Sequence, residues 1–158
     1  MVVPKFRAWV EAEETMHPVL SLDWSGIDDD LTVFVPMGRN SSRAVSIDNA
    51  ILMQSTGVLD KNGKEIFEGD VVKFNDTWNE YDYEGYVDGA SEGENFTEIL
   101  KTEDGFSFGR TKIPESSVFY FLDDEHMKFS EIVKSDDFSM VIVGNIYENP
   151  ELLETQND

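Results

Sequence analysis

The stretch Leu52-Met-Gln-Ser-Thr-Gly-Val-Leu-Asp-Lys-Asn-Gly-Lys-Glu-Ile-Phe-Glu-Gly-Asp-Val-Val-Lys-Phe74 alternates strand-forming and turn-forming residues more tightly than the rest of the chain. Asn62-Gly63 is the strongest short-range signal for a hairpin turn in which both central residues have positive φ. Gly69 can adopt a left-handed conformation at little cost, and the short carboxylate of Asp70 can accept bonds from nearby backbone amides. A strand is therefore expected to restart at once in Val71-Val-Lys-Phe74, whose side chains alternate between two faces.

The acidic residues of this stretch have two interpretations. Asp60, Glu65, Glu68 and Asp70 could form a carboxylate cluster for metal binding or acid–base chemistry. Each of them, however, stands beside a turn, where acidic residues are favoured for their local hydrogen bonds. The turn interpretation is therefore preferred.

Two further blocks, together with the central stretch, carry a resemblance to a known family. They are Lys5-Phe-Arg-Ala-Trp9 near the start and Val143-Gly-Asn-Ile-Tyr-Glu-Asn-Pro-Glu-Leu-Leu153 near the end. Taken together, the three blocks resemble the YopX-like family of bacteriophage and prophage proteins. The resemblance implies a β-rich body with a small SH3-type barrel and a phage origin. It implies no reaction.

Length and strand patterns predict a mainly β chain with additional β-hairpins. The 158 residues suit a single β-rich domain over residues 1–154, with two sub-domains meeting near residue 75 as the alternative, and a disordered tail over 155–158. Gly144 is expected to allow a bulge in the last core strand. Asn149-Pro150 places a cap and a first-turn proline, which predicts a short helix from Pro150 to Glu154.

Other segments are predicted from their local pattern alone. Lys5 to Val10 and Val19 to Trp24 indicate strands, and the apolar run Val118-Phe-Tyr-Phe-Leu122 indicates a strand buried on both faces. Tyr81-Asp-Tyr-Glu84 alternates and indicates a further strand. Asp88 to Asn95 is rich in glycine and acidic residues, which indicates a mobile loop.

The chain is strongly acidic, with 33 acidic and 12 basic residues and a net charge of -21. Direct binding to DNA or RNA is not expected, because affinity for phosphates comes from clustered lysine and arginine. One interpretation of this acidity is solubility in a bacterial cytosol. The other is recognition of a basic surface on a partner.

Cysteine usage and hydropathy bear on location. The sequence has no cysteine, which excludes disulfides and a cysteine nucleophile and fits a reducing cytoplasm. It has no signal-peptide pattern and no run near the roughly 20 apolar residues of a membrane span. A protein in the cytoplasm of a bacterial host cell, without membrane attachment, is expected.

No set of residues predicts catalysis or a bound cofactor. The acidic turns at Asp28 and Asp123 could bind a cation, and His126 follows the second of them. A closed metal site needs further ligands, and the only other histidine is His17. We therefore expect no metal site, no cofactor and no enzyme activity, while cation binding at the two turns stays open.

The segment from Asp76 to Phe108 has an unusual composition: it holds ten acidic residues and one lysine, interleaved with aromatic residues. Tyrosine and tryptophan dominate many protein contacts. The predicted partner-binding residues are Trp78, Tyr81, Tyr83, Tyr86, Asp82, Glu84 and Asp88.

Three functions are compatible with these features. The leading hypothesis is a non-catalytic binding module that engages a host or phage protein through its acidic, aromatic-rich lobe from Asp76 to Phe96. The second is an acidic nucleic-acid mimic that occupies a DNA-binding protein. The third is a structural piece of a phage assembly, and the sequence leaves the oligomeric state open.

Overall fold

The computed structural model describes residues 5–25 and 30–154. The chain forms two compact units, Met1–Ser55 and Thr56–Asp158, and residue 75 lies inside a strand of the second. The predicted cation turn at Asp28 and the predicted tail 155–158 lie outside the described residues.

The first unit consists of short antiparallel strands. Strand β1 (Phe6–Val10) pairs with β2 (Thr15–Pro18) on one side and with the first half of β6 (Ala50–Leu59) on the other. A second sheet has the order β3 (Ser21–Asp23), β4 (Thr32–Met37), β5 (Ser41–Ser46). A 3₁₀ turn at Ile47–Asn49 leads into β6. The strand predicted over Val19 to Trp24 is thus shortened to β3.

Small β-branched and alanine side chains form the core of this unit. Ala8, Val33 and Val35 are fully buried, and Leu22 and Leu52 pack against them.

At the surface of this unit, the guanidinium of Arg43 donates to the carboxylate of Glu13. This hydrogen bond lowers the pKa of Glu13, because the cation stabilises the ionised form.

The turn after β6 is formed by the side chain of Asp60. Its Oδ1 accepts from the amides of Asn62 (2.9 Å) and Lys64 (2.8 Å), and β7 (Glu65–Phe67) follows. Gly63 has φ +80, as predicted, but Asn62 is not among the residues with positive φ. The prediction was wrong for Asn62 because the aspartate side chain closes the turn, which then needs a left-handed residue only at Gly63.

A four-stranded antiparallel sheet dominates the second unit. Its order is β10 (Gly105–Thr111), β9 (Val87–Thr102), β8 (Asp70–Tyr81), β11 (Val141–Asn145). The predicted mobile loop at Asp88 to Asn95 is in fact part of β9. The loop prediction was wrong because β8 supplies the backbone partners of this segment, and ladder bonds outweigh its low strand propensity.

The Gly69-Asp70 junction starts the central strand as predicted. Gly69 has φ +87, its amide donates to the carbonyl of Ile99 (2.9 Å), and its carbonyl accepts from the amide of Ile146 (2.9 Å). Oδ2 of the buried Asp70 accepts from the amide of Phe67 (2.8 Å). The glycine therefore serves a turn that is bonded to two other segments of the unit.

Replacing Gly69 by valine is expected to lower the free energy of unfolding by more than about 1 to 2 kcal/mol, because a β-branched residue is strained at positive φ. Urea unfolding monitored by circular dichroism measures the loss. Gly69→Asn is the control, since asparagine tolerates this conformation and should lose less. Equal stability of wild type and the valine variant would contradict the assigned role of this glycine.

Two short helices cover one face of this sheet. They are α1 (Ser117–Asp123) and α2 (Phe129–Lys134). Val118, Ile132 and Val133 are buried against strand residues such as Phe74 and Ile99. The strand predicted at Val118 to Leu122 is thus a helix.

The local cause of this difference is a helix cap. The Ser116 side chain accepts from the amide of Val118 (3.2 Å), and the carboxylate of Asp76, distant in sequence, accepts from the amide of Ser117 (3.0 Å). These two acceptors satisfy amides at the start of α1 that would otherwise lack partners. An apolar run alone does not distinguish a buried strand from a short buried helix.

The C-terminal features agree with the sequence except at Asn149, whose side chain makes no cap hydrogen bond with the helical turn. The pairing of β11 with β8 shifts register between Ile142 and Gly144, and a Cβ at Gly144 would lie 2.4 Å from Oδ1 of Asn149. Pro150–Leu153 forms a 3₁₀ turn.

The mainly β class is confirmed, with a curled half-barrel sheet and a few short helices, while the SH3-type barrel stays a prediction. In the part of the chain that the structure describes, none of the helices has the length and apolar character to span a membrane.

Candidate functional site

The candidate site is the outer part of the β8–β9 hairpin, residues 76–96, here called the acidic hairpin. Strand β11 pairs with β8 only at residues 70–73, and β10 pairs with β9 only at residues 97–102. From Thr77 outward, the two arms have ladder partners only in each other among the described residues. Because an isolated two-stranded hairpin has marginal stability in water, this one depends on how its base is held.

The tip is a tight turn that Asp82 organises. Oδ1 of Asp82 accepts from the amides of Glu84 (2.9 Å) and Tyr86 (3.0 Å), and its amide donates to the carbonyl of Tyr86 (2.8 Å). Gly85 has φ +90. The strand predicted at Tyr81 to Glu84 was wrong, because these side-chain bonds turn the chain directly after Tyr81. Asp82 is therefore a structural residue of the turn.

Two predicted aromatic residues stand out in solvent at the tip. Tyr83 is 96% exposed and Tyr86 is 69% exposed, and the neighbouring Val87 is 61% exposed. Glu84 and Asp88 are exposed beside them. Exposed aromatic rings among carboxylates have area that a partner can bury.

The other two predicted aromatic residues have contacts within the protein. Trp78 is half-buried, and a Cβ on Gly93 would lie 3.0 Å from its ring. Glycine at position 93 therefore leaves room for the indole. The Tyr81 hydroxyl donates to the carboxylate of Glu115. This hydrogen bond raises the pKa of Tyr81, since the nearby negative charge disfavours ionisation. The structure therefore does not place all four rings together.

A buried hydrogen-bond network holds the base of the hairpin. Asp76 is only 4% exposed, and its carboxylate accepts from Ser117 Oγ (2.6 Å), the Ser117 amide (3.0 Å) and Asn95 Nδ2 (2.9 Å). Oδ1 of Asn95 accepts in turn from the amide of Ile113 (2.8 Å). The network connects β8, β9 and the start of α1 and thus fixes the direction of the hairpin.

A cleft of about 620 Å³ opens at this base, within the second unit. Phe121, Met127 and Phe138 contribute buried and half-buried apolar surface, and the rings of Phe121 and Phe138 meet edge to face at 5.5 Å. The other lining residues are polar or lie on the hairpin, with several exposed carboxylates among them: Asn75, Asp76, Thr77, Glu92, Gly93, Glu94, Ser117, Ser135 and Asp137.

Sequence reasoning did not find this cleft. Its helical side includes Phe121 of α1, which lies in the segment predicted as a strand. The pair Ser116-Ser117 ahead of an apolar run was the available signal, since serine is a preferred helix cap. No local signal relates Phe121 and Phe138 to Glu92.

The remaining predicted site residues lie apart from the hairpin tip. Asp123 ends α1, and His126 follows with φ +54. Within residues 5–25 and 30–154, no group of three histidine or acidic side chains has the arrangement of a metal site.

The chain is similar to known proteins in both sequence and fold. A family model described as YopX protein matches residues 5–154. The crystal structure of protein EF1440 from Enterococcus faecalis is similar, with 26% identity, a TM-score of 0.56, and coverage of 98% of this chain and 100% of that one. The structure of protein yopX from Bacillus subtilis has a similar fold at 19% identity, with a TM-score of 0.51 and coverage of 95% and 98%. No curated protein matches the chain.

Proposed function

The chain belongs to the YopX family, and on that premise we propose that it is a non-catalytic binding module that engages a protein partner through the tip of its acidic hairpin. The proposal places the protein in the cytoplasm of a bacterial host cell, as a product of a phage or prophage. The observation that carries it is the exposure of Tyr83 and Tyr86 on a hairpin that extends beyond its sheet.

Three features support this proposal physically. Tyrosine buries a large area with few rotatable bonds and often dominates binding energy. The carboxylates of Glu84 and Asp88 beside the rings would attract a basic partner and speed association. The Asp82 turn orders the tip and the Asp76 network fixes the direction of the hairpin, and such preorganisation reduces the entropy lost on binding.

Replacing both Tyr83 and Tyr86 by alanine is expected to weaken partner capture by at least about tenfold, as for a binding hot spot. Both side chains are exposed, so circular dichroism should be unchanged. The measurement is quantitative capture from a nuclease-treated bacterial lysate. Tyr120→Ala is the control, because Tyr120 is a half-exposed tyrosine on α1, outside the acidic hairpin. Equal capture by all three proteins would refute the proposal.

The nucleic-acid mimic is the second candidate, and the density of carboxylates between Asp76 and Phe108 favours it. For a mimic, neutralising Glu84 and Asp88 as glutamine and asparagine should reduce capture more than removing the tyrosines. Capture should also fall steeply with salt. A tyrosine-anchored complex should tolerate salt, with the charge change acting mainly at low ionic strength. A structural assembly piece would instead elute as an oligomer in size-exclusion chromatography.

A further inference from the structure

The cleft at the base of the acidic hairpin combines two kinds of surface that are usually separate. Phe121, Met127 and Phe138 give it an apolar interior, and Glu92 and Asp137 are exposed carboxylates that line it. Its volume of about 620 Å³ lies in the range of natural ligand sites. The cleft is therefore large enough for a side chain and a few flanking backbone atoms.

The acidic groups of the cleft differ in availability. Asp76 is occupied, because hydrogen bonds from Asn95 and Ser117 use both of its oxygens. Glu94 has one distant ion pair, with 3.8 Å between its Oε1 and Nζ of Lys73. Glu92 and Asp137 form no ion pair with any described residue. The last two carboxylates are thus available to a ligand.

We propose that this cleft receives a lysine or arginine side chain of a basic protein partner. A long side chain with an aliphatic stem and a cationic end matches both surfaces, since the stem can cover Phe121 and Met127 while the cation meets Glu92 and Asp137. Aromatic rings also attract cations directly. An anionic ligand is disfavoured by the carboxylates and by the net charge of -21.

This role of the cleft rests on the proposed function, because the side chain that occupies the cleft belongs to the same protein partner. The two proposals assign separate tasks to two surfaces of the second unit: exposed tyrosines at the tip and a cation-binding cleft at the base. Because a chain of this charge attracts any basic molecule at long range, the test must separate a local site from the general field.

The probe is a fluorescein-labelled, lysine-containing peptide, with the same peptide acetylated on its lysines as the reference. Binding is measured by fluorescence anisotropy at about 0.15 M salt, where the Debye length is about 8 Å. The first variant is Glu92→Gln combined with Asp137→Asn. Its control is Glu103→Gln combined with Asp104→Asn, which removes the same charge from exposed residues in the β9–β10 turn, outside the cleft lining.

The cleft pair is expected to weaken peptide binding at least about fivefold, and the control pair less than about twofold, because screened remote charges contribute little. Thr77→Trp, which places a bulky ring at an exposed lining position, should weaken binding about tenfold without a charge change. Acetylation should abolish binding. Equal effects of the two charge pairs, or unchanged binding by folded Thr77→Trp, would overturn the proposal.

The tyrosine variants separate this proposal from the proposed function. Tyr83→Ala with Tyr86→Ala should bind the lysine peptide as wild type does, because both residues lie outside the cleft lining. Loss of lysate capture by this variant with normal peptide binding supports both proposals. Normal lysate capture with peptide binding sensitive to the cleft variants would refute the tip proposal and leave the cleft supported.

Discussion

Replacing Asp76 by alanine is expected to lower the free energy of unfolding by about 3 to 5 kcal/mol, because several buried donors would lose their acceptor at once. Asp76 is 4% exposed, and its carboxylate accepts from the Ser117 hydroxyl (2.6 Å), the Ser117 amide (3.0 Å) and Asn95 Nδ2 (2.9 Å). A further bond comes from the amide of Thr77 (2.8 Å).

Urea unfolding followed by circular dichroism measures the effect. Asp76→Asn should fall between wild type and the alanine variant, since it keeps one acceptor oxygen but directs an amide group toward other donors. Asp88→Ala is the matched control, an aspartate on the same hairpin whose side chain is exposed. If Asp76→Ala and Asp88→Ala unfold at the same urea concentration, the network does not hold the hairpin.

The second large effect is expected at Asp60, where alanine should cost about 3 to 4 kcal/mol of unfolding free energy for the same reason. Oδ1 accepts from the amides of Asn62 (2.9 Å) and Lys64 (2.8 Å), and Oδ2 accepts from the amide of Ile142 in β11 (2.8 Å). One buried side chain thus closes a local turn and binds it to a strand far along the sequence. Its loss would disrupt both.

The control lies next to this turn. Asp136 forms an ion pair with Lys61, but the Asp136 side chain is 94% exposed. The cation lowers the pKa of Asp136, yet exposed pairs of this kind add little to stability. Asp136→Ala should therefore unfold close to wild type in the same urea titration. A loss as large as that of Asp60→Ala would mean that the exposed ion pair contributes as much to stability as the buried hydrogen bonds of Asp60.

The two aspartates illustrate how far the sequence predicts the structure. Asp60 was interpreted from its position beside Asn62-Gly63, and the turn is present. The partner at Ile142 was not predictable, because a free carboxylate oxygen next to a turn has no local preference for one distant amide. The same holds for Asp76, whose link to Ser117 depends on the packing of α1 against the sheet.

The candidate site was likewise predictable only in part from the sequence. Composition alone marked residues 76–96 as acidic and aromatic, and the exposed Tyr83 and Tyr86 lie in that segment. Which rings are free was decided by contacts across the fold: Tyr81 bonds to Glu115 and Trp78 lies over Gly93. The cleft needs residues from both the hairpin and the helical segments, so no single stretch could reveal it.

The sequence by itself determined the features that depend on one residue and its neighbours. Glycine at Gly63 and Gly69 permits positive φ, and proline at Pro150 suits a first helical turn, whatever the rest of the chain does. Only the tertiary structure decided that Val118 lies in a helix and that Asp88 to Asn95 extends as a strand. Those segments have weak or ambiguous local preferences. Their conformation follows from the distant groups that complete their hydrogen bonds, namely the Asp76 carboxylate for one and the backbone of β8 for the other.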